Sequence, residues 1–359
     1  MTVIKSLGKI ALSTVLVGAL IAVVIAPFAG LSGVAIARTN DTMQSDLQDL
    51  TAGDAPGVST ILDAKGNSLA YIYEQRRHPV SAEKISKPMK QAIVAIEDRR
   101  FYEHEGVDFQ GNFRALWSNL ASGGVSQGAS TLNQQYVKNY LLLVNAKTEE
   151  ERAAAIEQSV PRKLREMRMA TDLDKKLDKE EILSNYLNLV PFGNHAYGVE
   201  AAARTYFGTH ASELTVPQAA MLAGMVQSSE YLNPFTNKDE VLSRRNLVLQ
   251  SMADSGSITQ AEADKYAQQD LGVLDKPSLL PNGCISAKDR GFFCDYVIEY
   301  LEEKGISREQ LARGGYTIRT TLNPDVQDQA LNAVRSQTDP NTPGVAEVMN
   351  VVEPLSLIH

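Results

Sequence analysis

Between Ile10 and Ala37 the chain runs 28 residues without a charged side chain, and most of them are apolar. A helix needs about 20 such residues to cross a bilayer, so whatever this chain folds into starts at a membrane. Lys5 and Lys9 precede the run, and Arg38 follows it, ahead of Asp41, Asp46, Asp49 and Asp54. The positive-inside rule then makes residues 1–9 a cytoplasmic tail and residues 10–37 a single-pass signal anchor in the cell membrane, with the rest extracytoplasmic. Ala35-Ile36-Ala37 also fits a signal-peptide cleavage site, although the apolar run is about twice a normal signal core. Both readings export the remainder of the chain.

Export gives meaning to charge and cysteine content. Lys and Arg number 35 against 43 Asp and Glu, a net charge of −8, which excludes a general nucleic-acid binder. An anionic ligand has to be held by a local cluster of cations. Cys284 and Cys294 are the two cysteines, too few for a disulfide scaffold or a four-cysteine zinc site. Outside the cytosol they either form a local disulfide or remain two partly buried thiols.

The spacing of apolar residues divides the exported part. Residues 38–59 are polar with Gly53, Pro56 and Gly57, and read as an extracytoplasmic tether. Thr60 to Tyr73 alternates around Asp63-Ala-Lys-Gly-Asn67, a predicted β-hairpin. From Pro88 to Leu249 the spacing is helical, through Met89, Ile93 and Ile96, then Ile182, Leu183, Tyr186, Leu187 and Val190, then Ala219 to Val226. Strand–helix alternation of the doubly wound kind is missing, which argues against a dinucleotide fold. Ser243 to Leu271 predicts two helices broken at Asp254-Ser-Gly256. Tyr316 to Leu322 predicts a strand, Pro324 to Ser336 a helix, and Val345 to Val352 a further strand.

Three segments carry chemistry. Glu97 shares the apolar stripe of Met89 and Ile93, and partial desolvation there suits a general acid or base. It opens Glu97-Asp98-Arg-Arg-Phe-Tyr-Glu-His104-Glu-Gly106, which taken alone also fits a helix end laced with surface ion pairs. The second segment runs from Gly123 through Gly128-Ala-Ser-Thr131-Leu-Asn-Gln-Gln135-Tyr-Val-Lys138-Asn139, a glycine-rich stretch feeding a helix. Ala129 stands where a phosphate loop needs lysine, which argues against nucleotide hydrolysis, while a mobile loop over a cleft remains in keeping with it. The third is Arg162-Lys163-Leu-Arg165-Glu166, either a solvated i, i+4 ion pair or a cationic patch beside a second carboxylate, fit for a phosphate leaving group.

Together with I-L-S-N-Y-L-N-L-V-P-F-G-N-H at 182–195 and Q-A-A-M-L-A-G-M-V-Q at 218–227, these segments come in an order that resembles the peptidoglycan glycosyltransferase domain of class A (bifunctional) penicillin-binding proteins. The likeness covers residues 60–250 well and extends more loosely to about 336. It implies a mainly α, lysozyme-like glycosyltransferase domain at 60–250 behind an N-terminal transmembrane helix. A small α+β linker region follows, with a helical linker at 251–314 and the start of a linker or transpeptidase region at 315–359. The substrates implied are lipid II and the growing glycan strand, and the partners are the membrane and other cell-wall synthesis proteins.

By the same resemblance Glu97 is the base that takes a proton from the acceptor 4-hydroxyl, and Glu166 is the second essential carboxylate, near the pyrophosphate. A divalent cation (Mg or Mn), held by Glu166, is the implied cofactor, with no organic cofactor. Lys138, Arg162 and Lys163 offset the leaving charge. Ser130, Thr131, Gln134, Gln135 and Asn139 belong to the donor side, and Asp98, His104, Tyr186 and Asn188 shape the cleft.

Two positions depart from the family pattern. Asn133 replaces the threonine expected in S-T-x-T-Q-Q, and Pro161 precedes the R-K-x-x-E segment, where it has to kink a helix or begin one. Ser81-Ala-Glu-Lys84 matches the S-x-x-K of a transpeptidase by letters alone, and no K-T-G follows, so no acylation by penicillin is expected. A glycan-cleaving hydrolase shares the need for a carboxylate but not for the cations, and a non-catalytic scaffold needs neither.

Overall fold

The computed structural model describes residues 55–108, 110–111, 130–339, 341–345 and 347–351. The membrane run at 10–37, most of the tether and the glycine-rich stretch from Gly123 to Ala129 lie outside them. In chain order the elements are β1 (Ser59–Leu62), β2 (Ser68–Ile72), β3 (Arg76–Arg77), α1 (Lys87–Glu97), α2 (Leu132–Tyr140), α3 (Glu149–Ile156), α4 (Val160–Asp174) and α5 (Lys179–Leu189). They continue with β4 (Ala196–Tyr197), α6 (Val199–Phe207), α7 (Val216–Met225), α8 (Lys238–Asp254), α9 (Gln260–Ala267), α10 (Gly291–Glu303), α11 (Arg308–Arg313), β5 (Thr317–Arg319) and α12 (Pro324–Gln337). The described chain is mainly helical. It divides into two compact units, one within Arg100–Ile182 and the other within Asp54–Arg99 and Leu183–His359.

In the second unit the predicted hairpin forms. β1 and β2 pair antiparallel, and Asp63 Oδ1 accepts from the backbone of Lys65 at 2.8 Å and Asn67 at 2.9 Å, closing the turn with a side chain. β5 adds to β1 in parallel, Thr60 opposite Thr317, giving the order β2-β1-β5. Under this sheet Ile61, Leu69 and Ala70 pack with Val297 and Ile298 of α10, Leu311 and Leu322. The open question of the cysteines is resolved as a disulfide, Cys284 to Cys294 with Cα atoms 5.6 Å apart, and Cys294 is fully buried in this core.

The helical part of the second unit centres on α7, whose residues from Ala219 to Met225 are all buried. α7 packs on α1 and α8. The two helices predicted across 243–271 appear as α8 and α9, with the break at Ser255-Gly256, and α8 begins five residues before the apolar spacing shows it. Arg77, 1% exposed, donates to the carbonyls of Pro56, Asn188 and Leu189, and burial pulls its guanidinium down to about 10. Arg76 serves Ser278 and Asn194 in the same way and reaches Thr205 Oγ1 at 2.6 Å.

In the first unit α2 packs against α4. Pro161 begins a helix: Ser159 caps α4 and accepts from Arg162 N, and the proline occupies the first turn, where no amide partner is lost. One expectation fails. Val345 to Val352 forms no strand among its described residues. Val348 is 83% exposed there and pairs with no strand among the described residues, so alternation alone does not hold it in a sheet.

Two measurements test this packing. Gly106 takes φ +83°, and a Cβ there meets Ala170 O at 2.5 Å and Thr171 Cα at 2.7 Å. Gly106→Ala should therefore cost about 2–3 kcal/mol in urea unfolding, since neither the backbone angle nor the space admits a methyl group. His78 is half-buried, and burial first, then the Arg204 charge, pulls its imidazole from 6.5 to about 4. The unfolded chain binds a proton there that the folded chain refuses. Stability is thus full above pH 6.5 and falls as pH drops toward 4. Comparing unfolding at pH 7 and pH 4.5, His78→Gln should remove about 1–3 kcal/mol of the difference.

Candidate active site

α1 presents the first carboxylate. Ser86 caps it, accepting from Met89 N at 3.3 Å, and Met89, Ala92, Ile93 and Ala95 bury one face. Glu97 continues that stripe by one turn and ends the helix half-buried, with Asp98 buried just after it. Tyr186 of α5 is fully buried. Burial first, then the charge of Glu97, hold its phenol above the ordinary range. Asn188, two residues on, spends its amide on the chain itself: Nδ2 donates to Val80 O at 2.8 Å, and Oδ1 accepts from Val80 N at 3.0 Å.

The first unit gathers the cations. Glu166 is 3% exposed, and Arg162 Nη1 reaches its Oε2 at 2.6 Å while Lys163 Nζ donates to Oε1. The i, i+4 pair is therefore not a solvated one. A carboxylate so removed from water holds its charge only with cations beside it. Lys163 Nζ also donates to Ser130 Oγ at 2.7 Å, tying the start of α2 to α4. A cavity of about 550 Å³ opens at this point, lined by Lys138, Leu141, Val144, Arg162, Arg165 and Glu166 among others. Its wall pairs cations with an apolar π-helical turn, Leu141–Asn145. Arg165 Nε is buried with no hydrogen-bond partner among the described residues.

Other expected residues hold the frame. Thr131 and Gln134 form a capping box at the start of α2, and Thr131 Oγ1 donates to Gly106 O at 2.7 Å. Asn133 is buried, and its Nδ2 donates to Asp174 Oδ1 at 2.9 Å. The departure from threonine at this position thus gives α2 a hydrogen bond from a side-chain amide to the end of α4. Asn139 Nδ2 donates to the carbonyl of Gln135 at 2.8 Å, within the helix. His104 is buried, its ring centroid 6.3 Å from that of Phe101 in an edge-to-face arrangement.

Sequence reasoning missed Lys179. Its ammonium donates to His104 O at 2.7 Å and to Asp174 Oδ1 at 2.5 Å, and lies 4.9 Å from the Phe101 ring centroid. A cation in the first turn of a helix opposes the helix dipole, and that misplacement was the available signal. No three His, Cys, Asp or Glu side chains among the described residues converge as a metal set. Replacing Lys179 with Met leaves Asp174 and the His104 carbonyl without their shared donor. It should cost about 3 kcal/mol of stability in the first unit, read by hydrogen exchange across residues 100–182.

With this geometry in hand, comparisons identify the kin. Penicillin-binding protein 1A of Escherichia coli is 37% identical over 278 residues, 77% of this chain and 30% of that protein. Penicillin-binding protein 1F of Bacillus subtilis is 34% identical over 299 residues, 81% of this chain and 39% of the relative. The chain thus spans about a third of the length of these relatives. A crystal structure of penicillin-binding protein 1A from Haemophilus influenzae aligns with 79% of this chain and 29% of its own, at 22% identity and a TM-score of 0.40. The family model for transglycosylases matches residues 65–253, more than half of the 359. Glu97, Lys138, Arg162, Lys163 and Glu166 all fall inside that match, and this chain belongs to the transglycosylase family.

Proposed function

We propose that this chain is a membrane-anchored peptidoglycan glycosyltransferase of bacterial cell-wall synthesis, polymerising lipid II into glycan strands at the outer face of the cell membrane. The observation that carries the reading is the buried Glu166 carboxylate held by Arg162 and Lys163 on a cavity shared with Lys138 and Arg165, in a chain of net charge −8. Cations are concentrated there against the overall balance, as a pyrophosphate leaving group requires. The relatives' names, penicillin-binding proteins, agree with it. A hydrolase that cleaves finished glycan has no such anion to stabilise.

In this reading the growing glycan is the donor and lipid II the acceptor. Glu97 accepts the proton of the acceptor sugar's 4-hydroxyl as that oxygen bonds to the donor's anomeric carbon. The bond from that carbon to the pyrophosphate breaks with inversion, and the electron pair leaves on the undecaprenyl pyrophosphate. Lys138, Arg162 and Lys163 stabilise the charge that develops there, and Glu166 keeps the last two in place. The half-buried Leu141 and Val144 beside them offer an apolar wall to a lipid-linked group.

Both Glu166 oxygens already face cations, and no protein metal set exists among the described residues, so these side chains do not make a resident metal site and no step passes through one. The divalent cation of our reading travels with the substrate's pyrophosphate, as magnesium commonly does. A magnesium titration of the polymerisation rate reads that dependence.

The decisive assay incubates detergent-solubilised protein with labelled lipid II and separates products on a gel. A ladder of muramidase-sensitive glycan is expected, reduced about 10²–10⁴-fold in Glu97→Gln, the usual contribution of a general base. A folded protein that binds lipid II and gives no ladder overturns the reading, and shortening of preformed glycan points to the hydrolase.

A further inference from the structure

Helix α10 gives one face to the core and the other to solvent. Cys294, Val297 and Ile298 are buried with Ile61, Leu69 and Ala70 of the sheet, whereas Phe292, Tyr296 and Tyr300 are exposed. Spaced four residues apart, the three rings share one stripe of the helix, and the Tyr296 and Tyr300 centroids are 6.2 Å apart. The disulfide adds to the start of this stripe. It ties Cys284 to Cys294, and a Cβ on Gly291 would lie 3.7 Å from Cys284 O. The residues that follow Cys284 and Gly291, Ile285 and Phe292, are 86% and 93% exposed. A contiguous apolar row left in water marks an interaction surface.

The same face is acidic. Asp295, Glu299 and Glu303 follow one another at four-residue intervals, all exposed, and none makes an ion pair among the described residues. Like charges at that spacing repel one another. Glu303 also stands in the last turn, where the helix dipole is already negative and no basic residue offsets it. The row thus works against the helix that carries it. Arg308 is engaged by Glu302 and Arg290 by Asp328, so neither relieves the row. Lys304 shows how the rings take a positive group, its ammonium lying 5.2 Å from the Tyr300 ring centroid.

We propose that this face of α10 docks a basic amphipathic segment of another protein. Its apolar side chains cover Phe292, Tyr296 and Tyr300, and its Lys or Arg side chains meet Asp295, Glu299 and Glu303. Opposite charge relieves the repulsion along the acidic row, and a cation over a ring adds its own attraction. Other occupants meet the same acids less well. A second copy, paired about a two-fold axis through this face, sets the acidic row against itself. A membrane surface takes helices whose polar face is basic. Of the chain's own stretches outside the described residues, 39–54 is acidic without a cation and 352–359 holds no Lys or Arg. The surface lies outside residues 65–253, and the proposal stands apart from the glycosyl-transfer reading.

The test titrates the detergent-solubilised full chain into a labelled, synthetic Leu/Lys amphipathic helix and follows fluorescence anisotropy. The same peptide with Glu in place of Lys, and with Ser in place of Leu, should each bind at least about tenfold more weakly. Phe292→Ser and Glu299→Lys remove exposed side chains and leave the core intact, and each should weaken the Leu/Lys peptide about tenfold. Glu240→Lys, the same reversal of charge on the exposed side of α8, should change nothing. No binding of the Leu/Lys peptide, equal binding of the acidic one, or an affinity indifferent to Phe292→Ser and Glu299→Lys overturns the proposal. Two further results also overturn it. A dimer in sedimentation velocity that Phe292→Ser disperses assigns the face to a second copy. A blue-shifted emission of Phe292→Trp over wild type in phosphatidylglycerol vesicles, without peptide, assigns it to the membrane.

Discussion

Taking a carboxylate out of water costs several kcal/mol unless cations come with it, and Glu166 is 3% exposed. Much of the first unit follows from that constraint. Helix α4 begins at Val160-Pro161, after the Ser159 cap, so that Arg162 and Lys163 fall one turn before Glu166 on its own face. Lys163 then reaches across to Ser130, which sets α2 at the distance where Lys138 lines the same cavity. In a chain with an excess of acids, the field at this point is set by these few side chains, and an anion entering the cavity meets donors already in place.

Buried cations in this protein have two fates, and the difference separates scaffold from chemistry. Arg76, Arg77 and Arg245 end mainly on main-chain carbonyls, which tie their guanidinium groups into the scaffold. Arg77 in particular joins Pro56 to the last turn of α5, where the helix dipole favours a cation. Arg162 and Lys163 end on a carboxylate at a cavity wall, and Arg165 carries a buried nitrogen with no partner among the described residues. Cations of the second kind keep donors to offer a phosphate.

How much of this was legible depends on the range of the interaction. Local signals worked: Asp63-Ala-Lys-Gly-Asn67 closed a hairpin, Pro161 opened a helix, and the helix break fell at Ser255-Gly256. Thr131 and Gln134 had a readable capping-box spacing, which marks a helix start whether or not a substrate is near. Long-range partners were not legible. β5 joins β1 in parallel from more than 250 residues away, Lys179 reaches back to His104, and Arg244 lies over Gly224, and in none of these does spacing along the chain name the partner. Val345 to Val352 shows the converse, a strand-like alternation without a described neighbour to complete it.

Those long-range contacts place the charges through sterics more than through charge itself. Gly106 is the clearest case, because any side chain there would enter the backbone of Ala170 and Thr171. Its bare Cα lets residues 104–106 lie directly on α4, and only from that position can Thr131 donate to Gly106 O and Lys179 to His104 O. Asn133 and Lys179 then converge on Asp174, at the end of α4, so the start of α2, the end of α4 and the turn at His104 move as one body. Since α4 also carries Arg162, Lys163 and Glu166, the cationic cavity inherits its rigidity from a glycine contact about two turns away. A substitution that leaves every charge intact but lifts this contact would therefore loosen the anion site. Such positions are where activity is lost without any catalytic side chain being touched.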